Sequence, residues 1–239
     1  MILADRLAYA SRWRHRALSE KALLSFGLLV LALALPVWPA SALVAGLATG
    51  FALLAGTGWR DWLRLAVPPM AFAVTGGAAL LMTVDGSGLA WAPGGVQAAT
   101  AVVGRALAAM CAMLLLTATT PTPDLVRGMR RLGLPPEFAE LTLSIYRFVF
   151  ILLDTAAAMH AGQAARLGTV GWRRRIRSAG MLAGALLPRA MERARRQEIG
   201  LAARGFDGSL RTLGAQDRAD PAVLAGIALL LAGVAGIGW

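Results

Sequence analysis

The chain has 239 residues, 57% of them hydrophobic and only 15% charged, with a mean hydropathy of +0.62 and a formal net charge of +11. Soluble domains run at roughly 45–50% apolar and about 25% charged, so this composition excludes an ordinary soluble protein and points to an integral membrane one. Because the basic excess accompanies long hydrophobic blocks, anionic lipid and an acidic protein face are the expected partners, and nucleic acid is not.

The rare residues exclude several chemistries. Cys111 is the only cysteine, so no intrachain disulfide forms. Lys21 is the only lysine and follows Leu18-Ser19-Glu20, which rules out a Gly-x-x-x-x-Gly-Lys-Ser/Thr phosphate loop. His15 and His160 are the only histidines, and no Cys/His/Asp/Glu group has ligand spacing. No cofactor and no resident metal are expected, and a transported metal ion would be held by another subunit.

In chain order, residues 1–20 form a basic N-terminal stretch with Arg6, Arg12, Arg14 and Arg16. A hydrocarbon core of about 30 Å needs ~20 mostly apolar residues per helix. Candidate spans fall at about 21–38, 40–58, 63–83, 97–119 and 220–239. The turn at Pro36–Ala40 divides the first two, and Trp59-Arg60-Asp61-Trp62, with indoles suited to the membrane interface, divides the second from the third. Gly46, Gly50, Gly56, Gly76 and Gly77 would let helices approach closely.

Arginine and lysine collect on cytoplasmic loops. That rule places the N-terminus inside, the uncharged Pro36–Ala40 turn outside, Arg60 and Arg64 inside, and the loop Asp85–Gly95, free of Arg and Lys, outside. Arg105 lies about two turns inside the fourth span, where it either snorkels to the outer interface or meets a partner within the bundle. The basic start, the apolar run and Ala40-Ser41-Ala42 imitate a cleaved signal peptide, but four further hydrophobic segments follow, so a retained first span is expected.

Between spans four and five, residues 120–219 are expected to form a cytoplasmic region of helices. Its stretch from Arg127 to Arg218 holds sixteen of the 24 basic residues and +9 of the net charge. Thr122-Pro123-Asp124 predicts a short helix over about 123–132, closed by Gly133 and the prolines at 135 and 136. A second helix runs from Pro136-Glu137 to Arg166, roughly 45 Å long, with Phe138, Leu141, Ile145, Phe148 and Leu152 at helical spacing. A third runs from about Ser178 to Arg204, with Arg189, Glu192 and Arg196 placed to pair on one face.

The two long helices end alike, in Gln163-Ala164-Ala165-Arg166-Leu167-Gly168 and Leu201-Ala202-Ala203-Arg204-Gly205-Phe206. Arginine near a helix C-terminus meets the negative end of the dipole, and glycine supplies a left-handed cap, so two ordinary caps are one reading. The repetition supports another. Each tip presents one arginine among small residues, able to enter a groove and form a bidentate pair with a carboxylate.

At these residues the chain resembles the T component of energy-coupling factor (ECF) transporters. Such chains carry two short Ala-Arg-Gly-like signatures at the ends of long cytoplasmic coupling helices. The likeness extends over Leu134-Pro135-Pro136-Glu137, Tyr146-Arg147-Phe148 and the stretch 198–208, and Leu167 in place of glycine is similar to the cobalt/nickel, CbiQ-like branch. The resemblance implies an all-α polytopic membrane protein of about five spans, with a cytoplasmic arm of two long coupling helices and one short one. It implies Ala165, Arg166, Leu167, Ala203, Arg204 and Gly205 as docking residues for two ABC-type ATPase subunits. A separate membrane S component would bind Co2+ or Ni2+, and this non-catalytic chain would transmit ATPase motion to it at the bacterial inner membrane.

Three other classes were weighed. The permease of another ABC transporter would usually show one coupling loop per chain. A stand-alone channel or secondary carrier would need charges along an intramembrane path, where Arg105 is nearly alone. A lipid transferase would need an aspartate cluster that Asp207, Asp217 and Asp220 do not make.

Overall fold

The computed structural model describes residues 3–85, 88–205 and 219–238. Its helices are α1 (Leu3–Ala10), α2 (Leu18–Ala34), α3 (Val37–Leu54), α4 (Trp59–Ala79), α5 (Gly95–Thr119), α6 (Thr122–Arg131), α7 (Pro136–Ala165), α8 (Trp172–Ala202) and α9 (Pro221–Gly238). One antiparallel hairpin, β1 (Met82–Asp85) and β2 (Gly88–Trp91), stands between α4 and α5, with Met82 opposite Trp91. The protein is an all-α polytopic membrane protein. By length and composition α3, α5 and Glu137–Ala165 of α7 can each cross a bilayer, and Pro221–Ile237 is a shorter apolar helix.

The chain divides into two compact units, Met1–Gly128 with Ala215–Trp239, and Met129–Gly214. In the first, α5 packs against α1, α2, α3 and α4, while α9 lies on α2 and α3. Leu28, Val44 and Leu115 are fully enclosed, and Ala48, Ala52, Ala108, Ala112 and Ala118 line the same core. Small residues let backbones approach, which is how helices gain packing energy in lipid. The glycines divide on this point. A side chain at Gly77 would strike Val103 of α5, and one at Gly27 would strike Leu231 of α9, whereas Gly46, Gly50 and Gly76 face open space.

Several expected boundaries move. Trp59-Arg60-Asp61-Trp62 is the first turn of α4 rather than a linker, because Gly58 ends the preceding loop and Asp61 suits a helix start. The turn at residues 36–40 is short, with helical hydrogen bonding resuming at Val37 although Trp38 keeps extended dihedrals. The third arm helix begins at Trp172, not Ser178. Arginine is a good helix former, and Gly171, at φ 80°, marks the break.

The basic N-terminal stretch also folds. Ser11 Oγ and the Arg12 N–H both donate to the Ala55 carbonyl after α3, at 3.1 and 2.9 Å. Lys21, only 4% exposed, donates from Nζ to the Thr119 carbonyl at the end of α5 and to that of Arg14, both at 3.3 Å. Thr122, expected as a plain helix cap, donates to Asp5 Oδ1 at 3.3 Å. Glu20 Oε1 accepts the Asp220 N–H at 2.9 Å, securing the start of α9. The Lys21 ammonium thus meets the C-terminus of α5, the negative end of its dipole. Elsewhere, Arg105 donates to the Leu35 carbonyl at 3.3 Å, so it finds a partner at the end of α2.

In the second unit α7 and α8 pack together, joined by the turn 166–171. The pair has little core of its own. Among the described residues, Ser178 is the buried residue of α8, and Phe138, Leu141, Ile145, Val149 and Leu153 leave an exposed apolar stripe on α7.

Candidate functional site

The two arginine tips share one backbone geometry. After α7, the Arg166 N–H donates to Gln163 O at 3.2 Å, and the Leu167 N–H to Ala164 O at 3.0 Å. After α8, the Arg204 N–H donates to Leu201 O at 3.0 Å, and the Gly205 N–H to Ala202 O at 3.1 Å. Each arginine immediately precedes a left-handed residue, Leu167 at φ 59° and Gly205 at φ 71°. At the first tip the Gly168 N–H also reaches Gln163 O at 2.9 Å, completing a Schellman cap. The counterpart at the second tip involves Phe206, outside the described residues.

Both tips are open. Ala165, Arg166, Leu167, Ala203, Arg204 and Gly205 are all exposed, and neither arginine is in an ion pair among the described residues. The tips are separated by the length of α8, 31 residues and so roughly 45 Å. Two guanidinium groups that far apart, each ending a helix, cannot share one small groove.

Two residues that sequence reasoning did not single out hold the first tip. Ser178 Oγ, on α8, donates to the Gly168 carbonyl at 2.8 Å, and Arg175 Nε donates to the Thr169 carbonyl at 3.0 Å. They pin the turn that carries Arg166 against the helix that follows it. A serine one helical turn after an arginine run is a weak signal, and only the reversal of the chain at Gly171 makes it legible.

A third feature also depends on helix pairing. A cleft of about 480 Å³ between α7 and α8 is lined by Arg147, Arg193, Arg196 and Arg204, with Ser144 and Gly200 among its other walls. Glu192 pairs with Arg196 at 2.8 Å; of the two pairings expected for it, the one with Arg189 is not formed. Among the described residues no group of three or more His, Cys, Asp or Glu could hold a metal ion.

The profile of the cobalt transport protein family CbiQ matches residues 10–213. This chain belongs to the CbiQ family. A CbiQ cobalt transport protein of Rhodobacter capsulatus is 45% identical over 235 residues, 98% of this chain and 96% of the relative. The CbiQ of Salmonella typhimurium is 33% identical, over 79% of this chain and 90% of its own length. A fused cobalt transport protein, CbiMQ, of Methanocorpusculum labreanum is 27% identical over 87% of this chain, which covers 37% of that longer protein. The resemblance carried by the two arginine tips therefore named the right family, and the CbiQ match extends across both units.

Proposed function

We propose that this CbiQ-family chain is the scaffold and coupling subunit of an ATP-driven ECF-type importer for cobalt, or for the chemically similar nickel. Residues 21–119 and 220–239 form its membrane part, at the bacterial inner membrane with residues 1–20 in the cytoplasm. Residues 120–219 form the cytoplasmic coupling region, in which α7, although apolar and long enough to cross a bilayer, lies near the membrane surface. Arg166 and Arg204 are the ATPase anchors, each entering a groove on one of two ABC-type ATPase subunits, flanked by Ala165 and Leu167 at the first tip and by Ala203 and Gly205 at the second. A separate S component binds the metal ion, and this chain carries no catalytic step.

The observation that carries this reading is the pair of matched, exposed arginine caps at the ends of α7 and α8, separated by the roughly 45 Å length of α8. A dimer of identical ATPases offers two equivalent sites some distance apart, which is what two equivalent tips need. The apolar stripe from Phe138 to Leu153 supports the second partner, since a contiguous exposed apolar face marks contact with lipid or another protein. The fused relative supports it further, because most of its length lies beyond the part this chain covers.

The test is a mild-detergent pull-down of the tagged chain from native membranes, with mass spectrometry of co-purifying proteins. Wild type should bring down cassette ATPases and a metal-binding membrane protein. The Arg166→Glu/Arg204→Glu chain should lose the ATPases while still inserting. A well-expressed wild-type chain that returns alone would defeat the reading in favour of a stand-alone carrier.

A further inference from the structure

We propose that the arginine cleft between α7 and α8 is a second docking site, which receives a cluster of carboxylates on the ATPase that meets the Arg204 tip. The proposal rests on the reading of Arg204 as an ATPase anchor and adds Arg147, Arg193 and Arg196 to that contact.

The cleft follows from spacing. Arg193, Arg196, Gly200 and Arg204 recur at three, four and four residues, which puts them on one face of α8. Ser144 and Arg147, three apart, face them from α7. Gly200 keeps the floor open, as nothing lies within 4 Å of where its side chain would start. Interfaces between paired helices are normally apolar. Here four solvent-exposed arginines line an open cleft of about 480 Å³ along the seam.

Charge then sets the occupant. Glu192 answers one of the four, while Arg147, Arg193 and Arg204 are in no ion pair among the described residues. Like charges gathered along one solvent-open cleft repel one another, an effect that salt screens and that an entering anion relieves. The planar fork of arginine fits carboxylate bidentately. Arg204 belongs both to the exposed tip and to the cleft wall, so a protein that reaches the tip also places its neighbouring acidic residues at the cleft mouth. The half of α8 that lines the cleft is also densely charged, with Arg189, Glu192, Arg193, Arg195, Arg196 and Glu198, unlike the apolar trough an acyl chain needs.

The geometry has a mechanical consequence. A carboxylate held between Arg147 of α7 and Arg193 or Arg196 of α8 joins two helices that have little apolar core between them. Docking at this end stiffens the pair it docks to, so the ATPase assembles part of its own lever.

The test measures ATPase retention by the purified, membrane-inserted chain as sodium chloride is raised. Arg193→Gln/Arg196→Gln, with Arg204 intact, should weaken retention about tenfold or more and flatten its salt dependence. Arg147→Gln on the other helix should act in the same direction, which guards against local damage to α8. Unchanged retention in both variants, while Arg204→Glu abolishes it, would overturn the cleft and leave the anchor reading standing. Retention that survives Arg166→Glu/Arg204→Glu would overturn the anchor reading itself. A loss of binding to phosphatidylglycerol vesicles in the Gln variants, with ATPase retention unchanged, would make the cleft a lipid-headgroup site and also overturn the proposal.

Discussion

Leu167 and Gly205 occupy the same left-handed position, each one residue after the exposed arginine that ends its helix. The two signatures differ in sequence at this residue and agree in backbone. An Ala-Arg-Gly motif and an Ala-Arg-Leu motif therefore present their arginines alike, the second at the cost of holding a branched residue at positive φ.

That equivalence makes an asymmetric prediction. Gly205→Leu should lower stability by about 1 kcal/mol, because among the described residues nothing lies within 4 Å of where its Cβ would stand and the backbone conformation carries the penalty. Leu167→Gly relieves the same conformation and should leave ATPase retention at the wild-type level. Thermal unfolding of the two purified variants and a pull-down measure both. A Leu167→Gly chain that loses its ATPases would show that the leucine side chain itself makes the contact.

Ser178 fixes the first tip. Removing its hydroxyl in Ser178→Ala deletes the 2.8 Å bond to the Gly168 carbonyl, at a cost of about 0.5–1.5 kcal/mol. The expected signature is local: faster amide exchange over residues 166–171, with exchange in α5 unchanged. Exchange in the turn that matches wild type would mean that Arg175 and the Schellman cap hold it without help from the serine.

Lys21 is a structural cation. Its Nζ is enclosed beside the Thr119 and Arg14 carbonyls, so Lys21→Met leaves two acceptors unanswered where water is scarce. The loss should be about 1–3 kcal/mol and should appear as a lower unfolding temperature and less protein in the membrane. Lys21→Arg should recover part of it. A methionine variant as stable as wild type would show that the ammonium group contributes nothing net there.

Local chemistry explains which parts could be read from the chain. The boundary between α6 and α7 was plain, because Gly133 at φ 99° and the prolines at 135 and 136 punctuate it. The helix α5 followed from its apolar run. The start of α8 was missed because Trp172–Arg177 has no apolar rhythm, and a run of arginines reads as solvated linker even where it is helical. The β1–β2 hairpin was read partly as the end of the third span and partly as loop, since four-residue strands carry too short an alternation to stand out. The tips were legible because the signature and its cap lie within six consecutive residues. The cleft was not, as Arg147 and Arg193 come to line one cleft only once α7 and α8 pair. Lys21 was noticed for the motif it fails to complete, while its role depends in part on a carbonyl nearly a hundred residues away.

The most direct measurement is Co2+ uptake by cells whose own importer is deleted, carrying either the wild-type chain or Arg166→Glu/Arg204→Glu at matched membrane levels. The account predicts ATP-dependent uptake with wild type and none above background with the double reversal. Full uptake by the double reversal would contradict it, because the two helix tips would then have no part in passing ATPase motion to the membrane.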